Sequence, residues 1–491
     1  MESGGMKNGV KKIAASSSKS NKHCLLRVIT LIVLIGGLSQ GCITVGPDYL
    51  PPEPTMPDAW HQELTRGLTE SEAGLKTWWK ALNDPILDSL IERAAEGNLD
   101  LQEAAARVME AQARRGIATG ERFPDINGSG AAERSRTSED FFPPTGKRND
   151  NTYGMGLDSS WEIDFWGRIR RLVESADAGL EASIEAYRDV QVLLFAEIAL
   201  NYVEVRTLQA RISFAESNVE TQRGSLEITE ARLKAEITGE LDVRQAELNL
   251  ARTESTIPAL RASMKQAINR LGVLLGEFPS ALYNELIAPI PIPQPPENIT
   301  VSMPANLLRQ RPDIRQAERE LALQTARIGV ATAELYPRFF LLGDFGFEGS
   351  SDVFDYTKRS WSIGPSFRWN IFDGGRVRSF ISVEDARTEQ ALVRYEQTVL
   401  DALEDVENSM IAYTEEIKRR GFLEDSVEAA QQSVDLVNTL YINGLTDFQN
   451  VLDMERSLFE QQDDFAVSKG SVTQNVIGVY RSLGGGWDVG P

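Results

Sequence analysis

The chain has 491 residues, 42% of them apolar, only 21 prolines and a formal charge of −21, which leaves room for long uninterrupted elements and argues against a nucleic-acid partner. Two histidines and two cysteines argue against a histidine-based metal or acid–base centre and against an internal disulfide. There is no glycine-rich phosphate loop and no nucleophile elbow; carboxylates abound, but nothing positive points to a hydrolase, so the chain reads as a non-enzyme without a cofactor.

The N-terminus carries Lys7, Lys11, Lys12, Lys19, Lys22 and Arg27 ahead of an apolar core, Val28 to Leu38, too short to span a bilayer as a stable helix. Residues 1–41 therefore read as a signal peptide. The run Leu38-Ser39-Gln40-Gly41-Cys42 resembles a lipobox with its leucine one place early, so Cys42 is expected to carry diacylglycerol and an acyl chain; the alternative is an ordinary signal peptide with a chance cysteine. Removing residues 1–41 takes away six basic residues and one acid, so the charge falls from −21 to −26. A water-filled passage lined by such a protein favours cations. Residues 42–75 form the lipid-anchored tether.

Beyond the tether the chain is an internal duplication. Gly116-Ile117-Ala118-Thr119-Gly120-Glu121-Arg122-Phe123-Pro124 matches Gly329-Val330-Ala331-Thr332-Ala333-Glu334-Leu335-Tyr336-Pro337; Trp161, Ile163 and Gly167-Arg168 match Trp369, Ile371 and Gly375-Arg376; Glu247 matches Glu455. A longer loop around Phe141 to Asn151 separates the registers. The repeats span 76–288 and 304–483, joined by a proline-rich linker, 289–303, and followed by a tail, 484–491. Each repeat runs helix, strand pair, long helix, turn, helix.

In the first strand pair Tyr153, Met155, Leu157, Trp161 and Ile163 alternate with Gly154, Gly156, Asp158, Ser160 and Glu162, the period of a strand with one oily and one wet face. In the second, Trp361, Ile363, Pro365, Phe367 and Trp369 alternate with Ser362, Gly364, Ser366 and Arg368; Phe339, Leu341, Phe345 and Phe347 mark its partner, and the first-half partner lies near Asp125 to Glu133. A sheet packed on a soluble core gives the same alternation, but the export signal and the neighbouring helices favour a membrane sheet. Four strands in lipid leave two unpaired edges, so they must close with strands of sister chains. Three copies give twelve strands and an aqueous lumen, whereas eight strands are filled by side chains.

From Gly375 to Asn443 and from Gly167 to about Lys234 no proline interrupts the chain. The seams Val399, Leu403, Val406, Met410, Tyr413, Ile417 and then Leu423, Val427, Ala430, Val434, Val437, Tyr441 step by threes and fours as in a coiled coil. Return helices run from Leu241 to Leu275, with Pro258 inside, and from Gln449 to Leu483. Glu384, Asp385, Arg387, Glu389 and Arg394 read as solvated faces; such helices are too polar for lipid and belong in the periplasm.

Val45-Gly46-Pro47-Asp48-Tyr49, Trp78-Trp79, Asp84-Pro85, Asn98-Leu99 and above all Leu307-Leu308-Arg309-Gln310-Arg311-Pro312-Asp313-Ile314 resemble the outer-membrane factors of tripartite efflux systems, of the TolC and OprM type, in their lipoprotein, NodT-like branch. The resemblance covers the mature chain. It implies a TolC-like homotrimer of mixed α and β class, a twelve-stranded transmembrane barrel continued by a periplasmic helical barrel. It also implies an outer-membrane channel for multidrug efflux of small molecules, partnered by a periplasmic adaptor and an inner-membrane RND-type transporter. The alternative function is a lipid-tethered coiled-coil scaffold of the envelope. By the resemblance the periplasmic mouth closes at the turn Tyr441 to Thr446, with Gly444 and Thr446 in the turn, Asp453 a ring acid facing the axis, Arg456 and Asn450 in the constriction, and Asp242 tied to Tyr441. Asn450 stands where some members carry an acid, Thr446 where some carry an arginine, and Glu236 where a turn glycine is expected.

Overall fold

A computed structural model describes residues 44–487, apart from 66, 71–74, 137, 139–148, 297 and 350–355. The signal segment, Cys42 and most of the long first-half loop lie outside the described residues. The principal helices are α1 (Pro85–Gly97), α2 (Leu99–Gly120), α3 (Arg168–Lys234), α4 (Glu240–Leu274), α5 (Pro312–Ala333), α6 (Arg376–Ile442) and α7 (Phe448–Ser482). The duplication is visible in their lengths: α3 and α6 have 67 residues each, α4 and α7 have 35 each. A 67-residue helix reaches about 100 Å at ~1.5 Å per residue. Among the described residues no helix is long and apolar enough to cross a membrane. Strands are β1 (Leu68–Glu70), β2 (Asp125–Arg136), β3 (Asn149–Ile163), β4 (Ile299–Val301), β5 (Arg338–Gly349) and β6 (Arg359–Arg368). The chain divides into two units.

The first unit comprises residues up to Leu50, Ala113–Asp177 and Ala322–Glu389. Its sheet is antiparallel throughout, in the order β2-β3-β5-β6, so β2 and β6 are open edges. Pro365 lies in β6, where an edge strand tolerates a missing amide donor. Register sorts the faces. Ile163, Phe339 and Phe367 form one row and Leu157, Phe345 and Trp361 another, while Asn127, Asp158, Asp344 and Ser362 form a row on the opposite face. In that polar row the Asn127 amide donates to Asp158 over 3.3 Å and the Ser362 hydroxyl to Asp344. Among the described residues nothing covers the oily face: Met155, Leu157, Phe345, Trp361, Ile363 and Phe367 are all exposed. A sheet packed on a soluble core would have buried them.

The segment after the expected lipid site is fastened to this unit. Val45 donates its backbone amide to Trp166 O (3.1 Å), and the buried Arg171 donates to the Val45 and Gly46 carbonyls and to Asp48 (2.6 Å). Gly46 has φ +88°, and a Cβ there would meet Gly329 Cα at 2.4 Å. Gly329 in turn lies against the Arg171 side chain, whereas its repeat mate Gly116 has open space. Asp164 caps α3 by accepting from the Ile169 (3.0 Å) and Arg170 (2.9 Å) amides. One expectation fails here: Glu384 is not part of a solvated face. It is 4% exposed, accepting from Gln324 (2.5 Å) and Arg387 (2.7 Å), because α5 packs over the start of α6 and a buried carboxylate needs donors.

The second unit comprises Pro51–Gln112, Ala178–Leu321 and residues from Gln390 onward. Its main core joins Leu87, Leu90 and Ile91 of α1 to Phe195, Ile198 and Tyr202 of α3, Ile268 and Leu271 of α4, Val399, Val406 and Met410 of α6, and Val476 and Ile477 of α7. Trp78 stacks on Tyr480 (5.4 Å between centroids) and meets Trp79 edge-on, and Trp79 meets Phe195. Asp84 caps α1 through the Ile86 and Leu87 amides and accepts the Tyr202 hydroxyl over 2.6 Å. Asn98 caps α2 through the Leu101 amide, 2.8 Å, and donates to Leu274 O, 2.8 Å. Arg311 donates to Asp313 (2.7 Å), Asp405 (3.3 Å) and Ser482 O (2.9 Å), joining the start of α5 to α6 and the end of α7. The proline-rich segment is pinned, not loose: Thr473 donates to Pro293 O (2.9 Å), and β4 pairs in parallel with β1.

Candidate gate

The turn between α6 and α7 closes by backbone chemistry. Gly444 adopts φ +70°; its amide donates to Tyr441 O and that of Leu445 to Leu440 O, both 2.9 Å, the Schellman closure that a left-handed residue permits. The turn between α3 and α4 is built alike, with Ile237 donating to Arg232 O and Glu236 to Leu233 O, each 2.9 Å. There the left-handed position is held by Glu236 at φ +59°. The glycine substitute in the first repeat thus adopts the glycine conformation, and its Cβ carries the strain.

Tyr441 is buried, 4% exposed, and packs on Phe448 with centroids 5.2 Å apart. These two, with Val437, Val451, Leu452 and Ala246, form a small apolar cluster separate from the main core. The Arg232 guanidinium lies over the Tyr441 ring at 4.6 Å and donates to the Tyr441 (3.0 Å) and Ile442 (3.2 Å) carbonyls. A cation on the last carbonyls of α6 complements the negative helix end. Arg232 is absent from the expected gate set; its signal in the sequence is a basic residue in the last turn of a helix.

The structure brings the remaining candidates onto the first turns of α7 and α4. The Asn450 amide donates to Thr446 Oγ1 (2.8 Å) and the Gln449 amide to Asp453 Oδ1 (3.0 Å). Arg456 Nη1 stands 3.5 Å from Asp453 Oδ1, with the two side chains 40% and 46% exposed. The expected tie between Asp242 and Tyr441 is not formed. Asp242 accepts instead from Thr238 Oγ1, four residues away in its own chain, where a local bond at the start of α4 costs little ordering. The Tyr441 hydroxyl, shielded from solvent, makes no hydrogen bond of good geometry among the described residues, although the Thr238 hydroxyl beside it favours its ionised form. Burial first, and then the Asp242 charge, push its pKa up.

Two residues beyond Asp453, on the opposite face of the same helix, an acid is buried. Glu455 is 2% exposed; its Oε1 lies 2.5 Å from Ser225 Oγ on α3, and its Oε2 accepts from Asn249 Nδ2 on α4 over 3.2 Å. Burial pushes its pKa up, against the opposing effect of those two partners. No group of acids, histidines and cysteines suited to hold a metal occurs among the described residues.

The family model described as Outer membrane efflux protein matches residues 90–277 and 303–485, well over half of the chain. Nodulation protein T of Rhizobium leguminosarum bv. trifolii is 32% identical over 433 residues, covering 87% of this chain and 91% of that protein. The solvent efflux pump outer membrane protein SrpC of Pseudomonas putida is 31% identical over 461 residues, covering 91% and 96%. Among solved structures, the outer-membrane channel OprN superposes with a TM-score of 0.83 at 37% identity, covering 90% of this chain and 99% of that one.

Proposed function

Because this chain belongs to the outer membrane efflux protein family, we propose that it is the gated exit duct of a tripartite efflux pump, working as a homotrimer whose three sheets close one twelve-stranded barrel. It lies in the outer membrane with its helices in the periplasm. One observation carries the trimeric reading: a sheet with an uncovered oily face, a polar opposite face and two open edges. In lipid each unpaired backbone group costs several kcal/mol, and strands of sister chains are the partners that remove both edges at once.

A periplasmic adaptor docks on the helix turns and an RND-type inner-membrane transporter supplies the energy; the duct itself binds no cofactor and performs no covalent chemistry. Cys42 anchors the N-terminus in the outer membrane through its acyl chains, and the clamp of Arg171 on Val45, Gly46 and Asp48 holds the segment that follows it. Asp453 faces the threefold axis. Three such carboxylates repel one another, attract cations and close the mouth together with Arg456, Asn450, Thr446 and the turn at Gly444. Tyr441, held by Arg232, braces that turn from behind, and Asp242 steadies the turn of the first repeat through Thr238. Cargo is a small molecule handed over by the transporter.

The test is conduction. Full-length protein in planar bilayers should pass small, cation-preferring currents that grow several-fold on Asp453→Ala. Bilayers silent for both proteins would overturn the duct reading.

A further inference from the structure

The seams of α3 and α4 change character toward the turns. On α3 the buried positions Ile212 and Ala215 give way to Asn218, Gln222, Ser225 and Thr229, with Val219 an apolar position among them, and on α4 Leu260 gives way to Thr253 and Asn249. Steps of three and four make 215, 218, 222, 225 and 229 the inward seam of a coiled coil, where apolar side chains normally sit. This polar stretch separates the main core from the small cluster around Tyr441 and Phe448. Among the described residues Glu455 of α7 is the buried carboxyl that meets it, 2% exposed. Its repeat mate Glu247 is half-buried and paired with Arg244 at 2.9 Å, so the duplication supplied the acid and only the second copy became enclosed.

The contacts of Glu455 suit a neutral acid. A protonated Oε1 can donate to Ser225 Oγ while Oε2 accepts the Asn249 amide, leaving every polar atom of the group satisfied. An ionised carboxylate would have the same neighbours and no cation. On α3 it meets Ser225, with Gln222 and Thr229 on the same stripe; on α4 Asn249, with Thr253 one turn on; on its own helix Asp453 is exposed and Arg456 half-exposed. On α6, whose Val437 and Tyr441 share a cluster with Val451 and Leu452, Glu428 and Asp435 are exposed. None of these charges contributes to the Glu455 equilibrium, which burial dominates. The same layer stores a second cost, because both amide atoms of the 2%-exposed Gln222 lack partners among the described residues. Hydration would relieve it.

We infer that the Glu455 contact is the latch that positions α7, and with it the gate, against α3 and α4, and that opening breaks this contact and hydrates the carboxyl. The inference rests on the duct reading. Glu455 touches no cargo; it acts through Asp453 and Arg456, within two residues of it on other faces of the same helix. Opening and deprotonation are then linked: higher pH favours the open form, and the proton leaves to bulk water from Glu455 Oε1.

The experiment uses full-length trimers in planar bilayers, titrated from about pH 5 to about pH 9, and infrared spectra of the same protein. Wild type should open more as pH rises. Glu455→Gln, whose amide can donate to Ser225 and accept from Asn249, should stay closed and lose that step. Ser225→Ala removes a donor to the ionised form and should move the step to higher pH. Asp453→Ala should raise the current and keep the step. In the infrared, wild type should show a protonated-carboxyl band that Glu455→Gln lacks. A Glu455→Gln profile that matches wild type, or a spectrum without that band, overturns the latch. Silence of every protein, with the band present, overturns the duct reading alone.

Discussion

Asp189 of α3 shows what a single buried charge costs this fold. It lines a cavity of about 290 Å³ together with Arg311, Asp313, Asp405 and Arg481. Burial, then the Asp313 charge, push its pKa up to about 6, although Arg311 opposes them. Arg311 is committed elsewhere, to Asp313, Asp405 and Ser482 O. Unfolded, an aspartate titrates near 3.9. Between that value and about 6 the folded state holds the extra proton, so stability falls as pH rises through this window and the full penalty persists above it. Asp189→Asn should therefore stabilise the protein at pH 7 by about 2 kcal/mol, discounted for partial exposure, and leave stability at pH 4 nearly unchanged. Denaturant midpoints at the two pH values check this; an equal shift at both would assign the effect to packing.

At the scale of elements, the two helical turns make a matched pair with one difference. Gly444 and Glu236 occupy the same left-handed position, and the space around a Gly444 Cβ is open, so steric contact plays no part. What remains is the backbone preference, about 1 kcal/mol for a residue with a Cβ. Glu236→Gly should stabilise the first turn by roughly that amount and Gly444→Ala should destabilise the second by the same. Protection of the Ile237 and Leu445 amides against hydrogen exchange reads each turn separately. If both substitutions shift protection in the same direction, the strain argument fails.

These turns also show what the sequence makes legible. Helix lengths follow from seams without proline, and strands from period-two alternation, because both patterns are local. The resemblance motifs proved to be structural joints: Asp84 and Asn98 cap helices, Trp78 fills the core and Arg311 ties three helices. Tertiary enclosure is another matter. Glu247 and Glu455 are the same residue at matching positions, yet only one is enclosed, and Glu384 looked solvated among four charged neighbours. Arg232 reaches Tyr441 from 209 residues away. Nothing local in the sequence encodes those distances.

At the scale of the whole molecule, the register across the sheet gives a test that no soluble fold would pass. Leu157 and Asp158 are chain neighbours on opposite faces of β3, and their rows run unbroken to Trp361 and Ser362 of β6. If lipid meets the Leu157 row and water the Asp158 row, the same new charge has opposite consequences one residue apart. On the proposed trimer Leu157→Arg would place a guanidinium in hydrocarbon at about 2–4 kcal/mol per copy, in each of three copies, whereas Asp158→Arg would leave the charge hydrated. Unheated samples on a denaturing gel read assembly directly, since a closed barrel of twelve strands migrates as a trimer until it is boiled. Wild type and Asp158→Arg should give the trimer band in detergent extracts of outer membranes, and Leu157→Arg should give mostly monomer. Equal trimer yield from the two variants would mean that the oily face never meets lipid, and the barrel would have to be replaced by a sheet covered with protein.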